Sequence, residues 1–125
     1  MATEAGVKND QGKPRASLVV HGFARALLEV SAVATFGAEK YSAHGWVSVP
    51  HGCERYTDAM YRHLLAEAAG QQCDAESGLA HAAHAAWCAL ARLELMLRDE
   101  EAWRGGLPSE NVNAPHDERL KWWML

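Results

Sequence analysis

Apolar residues recur at helical spacing through most of this chain, and nowhere do they keep the strict alternation of a half-buried strand. From Ser17 to Phe36 the row Val19, Phe23, Ala26, Val30 and Val33 predicts a first helix facing a core, with Gly37 as its stop. A second helix is expected from Glu54 to Ala69, ending at Gly70, with Tyr56, Met60, His63, Leu64 and Glu67 along one side. The third and longest is expected to begin near Asp74 or Ser77, either of which can cap it, and to run to Glu101.

That third segment carries two stripes. Leu79, Ala83, Ala86, Leu90, Leu93 and Leu97 follow the step of a helix-packing seam, while Asp74, Ser77, His81, His84 and Cys88 lie nearly opposite. Two loaded faces exceed what a three-helix monomer covers. One face is therefore expected in the protomer core and the other against a ligand or a second subunit.

Between the helices, residues 37–53 hold Gly45, Pro50 and Gly52 with Tyr41 and Trp46, the composition of a structured loop with aromatic anchors. The reading is one all-α domain over residues 1–125. It comprises a polar arm (1–15), a helical core (16–101), and a loop-rich tail (102–125) whose Trp122, Trp123, Met124 and Leu125 are expected to dock on this or a neighbouring subunit. A homo-oligomeric bundle of three main helices follows.

Composition narrows the partners. A formal net charge of -4 leaves no excess of Lys and Arg for duplex nucleic acid. No apolar run approaches the roughly 18–20 residues of a membrane span, and the N-terminus lacks the apolar centre of a secretory signal. Three cysteines without a CxxC pair fit a reducing cytoplasm. A small polar ligand remains.

Candidate chemistry is carried by helices. Glu29 stands among apolar neighbours, where a carboxylate either pairs with Arg25 at i,i+4 or serves as metal ligand or base. His63 and Glu67 are also four apart, and Asp74, Glu76, His81 and His84 follow closely. Such donors hold Mg²⁺ or Mn²⁺ if carboxylates dominate, and Zn²⁺, Ni²⁺ or Fe if the imidazoles ligate. The alternative for His81 and His84 is a packed pair of hydrogen-bonded interior histidines. Lys13, Arg15, Lys40, Arg55 and Arg62 are solvated charges one by one; together with Tyr41 and Trp46, and with His63 and His81 beside them, they can clamp phosphates and stack a base. There is no P-loop, no GxGxxG and no nucleophile elbow.

The segments FGAEKY (36–41), RYTDAMYRHLLA (55–66) and DAESGLAHAAHAAW (74–87), preceded by KNDQGKPR (8–15), resemble the phage dATP/dGTP diphosphohydrolase N-terminal family over roughly residues 8 to 95. That family in turn resembles the MazG-type all-α nucleoside triphosphate pyrophosphohydrolases. The resemblance implies Mg²⁺- or Mn²⁺-dependent cleavage of a (d)NTP to monophosphate and pyrophosphate, in the host cytoplasm. It makes Glu29 and Glu67 the catalytic carboxylates, with Asp74, Glu76 and His84 joining them on the metal. One departure stands out: the MazG pattern pairs acids as ExxE, whereas Glu29 is followed by Ser31, Ala32 and Val33. A chain with the pocket but an incomplete cage would bind a nucleotide without cleaving it, for instance to sequester an immune signal.

Overall fold

The computed structural model describes residues 4–99. The docking tail expected at 122–125 lies outside them. Four α-helices follow one another: α1 (Ser17–Val20), α2 (Ala24–Lys40), α3 (Gly52–Ala68) and α4 (His81–Arg98), with a 3₁₀ turn at Gly45–Ser48 between α2 and α3. Among the described residues no strand forms, and no helix is long and apolar enough to cross a membrane.

The first expected helix is in fact two. The chain breaks at residues 21–23, where Phe23 leaves the helical region at φ -118°, ψ 28°. Gly22 permits the break, because a Cβ there would collide with the carbonyl oxygen of Leu18. The expected core row is split as a result. Val33 is buried and Val30 half-buried, but Val19, Phe23 and Ala26 are exposed. Beyond the break α2 passes through Gly37 without stopping, since a glycine costs a helix only about 1 kcal/mol.

α3 ends close to the expected place. Gly70 takes φ 104°, its N–H donates to the Glu67 carbonyl, and the Gln71 N–H donates to the Ala66 carbonyl, the paired bonds of a Schellman stop. Residues 71–80, by contrast, are not the first turns of the last helix. Asp74 and Ser77 hold a turn instead of a cap, and α4 begins at His81. Short polar side chains compete with helix hydrogen bonding in this way when they can reach nearby backbone.

α3 and α4 pack antiparallel, Gly52 lying against Leu95, Thr57 against Arg92 and His63 against His81. The interior is made of small side chains: among the described residues, apart from His81 and Val33, the buried ones are Gly52, Ala83, Ala85, Cys88 and Ala91. A three-membered ring of polar contacts locks the far end. The Cys53 thiol donates to the Arg92 carbonyl, Arg92 Nε donates to Thr57 Oγ1 at 2.8 Å, and Thr57 donates back to the Cys53 carbonyl.

The 3₁₀ turn is anchored by aromatic edges. Trp46, Tyr56 and Trp87 meet pairwise at 5.4–6.4 Å between ring centroids with interplanar angles of 65–85°, and the Tyr56 hydroxyl donates to the Trp46 carbonyl at 2.7 Å. Trp87→Ala removes the ring common to two of these contacts. It is expected to lower stability by about 2–3 kcal/mol, less than the ~3–5 kcal/mol of a fully buried Trp, read as a shifted denaturant midpoint in far-ultraviolet circular dichroism.

Candidate metal centre

Four titratable side chains converge where α3, the 71–80 turn and the start of α4 meet. His63 comes from α3, Asp74 from the turn, and His81 and His84 from the first turn of α4. Backbone bonds fix the turn: Asp74 N–H to the Leu79 carbonyl (2.8 Å), Gly78 N–H to the Asp74 carbonyl (2.8 Å), and His81 N–H to the Gln72 carbonyl (3.0 Å). Gly78 supplies the left-handed residue, φ 75°, that the reversal requires. Asp74 Oδ2 accepts the Ser77 N–H at 2.8 Å, and Ser77 Oγ accepts the Leu79 N–H at 3.1 Å.

The imidazoles are layered. His63 and His84 stack at 4.5 Å with planes 10° apart, and Phe36 of α2 meets His84 edge-on at 6.5 Å. His63 Nδ1 lies 2.8 Å from His81 Nδ1, so one ring donates and the other accepts. Ser77 Oγ sits 2.7 Å from His84 Nε2, and Asp74 Oδ2 lies 3.9 Å from the same nitrogen. His81 is 5% exposed, and its Nε2 has no hydrogen-bond partner.

Electrostatics favour a donor set. Burial, and then the neighbouring His84 and His81, hold the His63 pKa below the usual imidazole value. Burial also lowers that of His84, against the opposing pull of Asp74. The Ser77 N–H holds the Asp74 carboxyl below the ordinary carboxylate range. Near neutrality His63 and His84 are thus uncharged with lone pairs to offer, and Asp74 is ionised. One ligand atom each from His63, Asp74 and His81 lie within 4.8 Å of one another. Neutral imidazoles beside a carboxylate are the donors a divalent ion takes.

The other residues expected at the site are placed as follows. Glu76 pairs with Lys40 at 2.6 Å, and Lys40 Nζ stands 5.1 Å from the centre of the Tyr41 ring, which is 77% exposed. Glu67 follows His63 by one helical turn and is exposed. Glu29 is exposed and does not pair with Arg25; it lies seven residues, roughly 10 Å along α2, before Phe36. Glu29, Glu67, Glu76 and His84 add no ligand atom to the group of three. Lys13 and Arg15 are in the exposed arm, Arg55 Nη1 donates to the Pro50 carbonyl at 3.4 Å, and Arg62 is exposed next to His63 in sequence. Trp46 belongs to the aromatic cluster with Tyr56 and Trp87, farther along α3 and α4. There, with Leu27, Val30, Ala34, Trp87, Leu90, Leu93 and Leu97, it lines an open apolar groove of about 460 Å³.

Two contributors were given no part in the site by the sequence reading. Ser77 orders both Asp74 and His84, a role signalled only by the Asp-x-x-Ser-Gly spacing of a side-chain-held turn. Phe36, inside the span expected for the first helix, meets His84 edge-on, and its helical spacing marked it only as an apolar position.

Residues 3–104 match the family described as dATP/dGTP diphosphohydrolase, N-terminal, and the chain belongs to that family. It is 41% identical over 81 residues to the dATP/dGTP diphosphohydrolase of Salmonella phage PMBT28, an alignment covering 65% of this chain and 26% of the relative. The chain thus spans about a quarter of that protein's length. No solved structure matches.

The three cysteines report on this packing. Cys73 is exposed and Cys53 half-buried, whereas burial pushes the Cys88 thiol up to about 11. With iodoacetamide at neutral pH, peptide mass spectrometry is expected to find Cys73 alkylated first. Cys88 should remain unmodified until denaturant is added. Early labelling of Cys88 would contradict the α3–α4 packing.

Proposed function

We propose that this chain is a purine deoxynucleoside triphosphate hydrolase unit that releases the monophosphate and pyrophosphate, using a divalent metal ion at the His63, Asp74 and His81 centre. The observation that carries the reading is this convergence of two imidazoles and a carboxylate in a chain whose family is described by that activity. When bound, the metal would neutralise phosphate charge and acidify the attacking water.

The chain's own groups have distinct tasks in this reading. Lys40, released from Glu76, binds triphosphate oxygens, and Arg62 adds a second cation from α3. Tyr41, with most of its ring exposed, offers a face for the purine. Glu67, on the same side of α3 as His63, is the candidate proton acceptor, and Ser77 keeps His84 in place beneath His63. Glu29 stands apart on α2, and its expected part in catalysis draws no support from its exposed position.

Assembly belongs to the same proposal. Leu90 and Leu93, which line the apolar groove, are 52% and 45% exposed, more than a monomer of this size usually leaves to water. A second copy covering this face makes the protein a homo-oligomer working in the cytoplasm of the infected host. Leu90→Glu with Leu93→Glu is expected to shift the sedimentation profile toward a smaller species. An unchanged profile would remove this face from the interface.

The activity is tested by incubating the full chain with dATP or dGTP and Mg²⁺ or Mn²⁺. Monophosphate and pyrophosphate are expected, lost on adding EDTA and reduced at least ~100-fold in Glu67→Gln, within the range of a missing general base. A specific observation favours a second outcome: Glu29, Glu67 and Glu76 do not join the three-residue group. Intact nucleotide recovered from the denatured protein, with no product in solution, would establish a binding module.

A further inference from the structure

The donors in this centre are two imidazoles and one carboxylate, whereas the metals implied by the family resemblance are those served by carboxylate cages. We infer that His63, Asp74 and His81 are the direct ligands of a transition-metal ion of the Co²⁺, Fe²⁺ or Zn²⁺ kind, bound in preference to Mg²⁺. The inference rests on the proposed function only for the metal's use, since binding itself can be measured without turnover.

Coordination chemistry gives the preference. Mg²⁺ demands oxygen ligands in near-ideal octahedral geometry and parts with water reluctantly, whereas imidazole nitrogen suits Zn²⁺, Fe²⁺ and Ni²⁺. Three protein ligands, two of them His, leave positions for water or a phosphate oxygen, the pattern of catalytic and not of closed structural sites. Donors around a tetrahedral ion at ~2.1 Å stand about 3.4 Å apart. The three ligand atoms lie within 4.8 Å of one another, a spacing that small side-chain rotations can bring to that value.

The surroundings match a ligand shell. Asp74 is aimed by the Ser77 N–H, and the ring of His63 is held flat by His84, itself fastened through Ser77 Oγ. His81 supplies a second, independent sign. Its ring is buried on a helix that the turn clamps in place, yet Nε2 has no partner, a costly state for an interior nitrogen that is there only to pack. A purely structural histidine network would be expected to satisfy that atom. His84 stays outside the ligand set because its Nε2 is taken by Ser77.

Cobalt is the probe. The full chain, stripped with chelator and titrated with Co²⁺, is expected to develop visible d–d absorption of a low-symmetry site. Stoichiometric Zn²⁺ should bleach it, and a hundredfold excess of Mg²⁺ should not. Asp74→Asn keeps the side chain's shape and its acceptor for the Ser77 N–H, and His63→Ala alters a part-exposed residue, so both should fold with wild-type helix content. Each is expected to weaken Co²⁺ binding at least ~100-fold, beyond the 10–100-fold typical of supporting residues. Displacement by equimolar Mg²⁺, or wild-type affinity in both variants, would overturn the assignment. Nucleotide turnover in the same samples separates the two ideas. Tight Co²⁺ binding without hydrolysis under any metal defeats the hydrolase reading alone, whereas Mg²⁺-driven hydrolysis surviving in His63→Ala defeats this ligand set alone.

Discussion

Everything in this molecule depends on how closely α3 and α4 approach. Glycine at Gly52, against Leu95, and the small buried residues Ala83, Ala85 and Ala91 of α4 let the helices come together with little volume between them, and a closely packed interior tolerates polar groups only where each finds a partner. The interface accordingly has polar contacts toward each end, Cys53, Thr57 and Arg92 at one and the histidines with Asp74 at the other. Larger side chains at the small positions would pry the helices apart and separate His63 from His81 directly.

The same thinness of the core explains the outer surface. With its buried positions filled by small residues, the described chain leaves Leu18, Phe23, Leu28, Leu65, Leu90 and Leu93 largely in water. Burial of such side chains is worth roughly 1.5–3 kcal/mol each. A fold whose total margin is only 5–15 kcal/mol gains heavily by covering even a few of them. Site and surface thus divide α4 between them: histidines toward α3, leucines toward whatever completes the groove.

Helical periodicity made the all-α architecture and the ends of α3 legible, because apolar spacing and Gly70 act locally. The break before α2 was not legible, since Gly22 matters only through a collision with Leu18 that no spacing rule encodes. The 71–80 turn was misplaced for a related reason. Asp and Ser are good helix caps and equally good turn holders, and the choice was made by Gly78 and by bonds to Leu79 and Gln72. Of the candidate site, the grouping of His63, Asp74, His81 and His84 was readable because all four lie in one stretch of sequence. Glu29 drew attention through its apolar neighbours, but of these only Val33 is buried, and Phe23 is 59% exposed. An argument from local burial fails when the local apolar face is not the core.

The 71–80 turn has one more consequence, for folding order. His63 and Asp74 are joined by a short stretch of chain, and the entropy lost in closing so small a loop is modest. Contacts of low sequence separation form early and quickly. The polar centre is therefore a property of the α3–turn–α4 hairpin and not of the finished bundle. It can exist before α2 docks, so the turn and the start of α4 need only α3 to take their places, and the remaining helix packs onto a hairpin already ordered at its polar end.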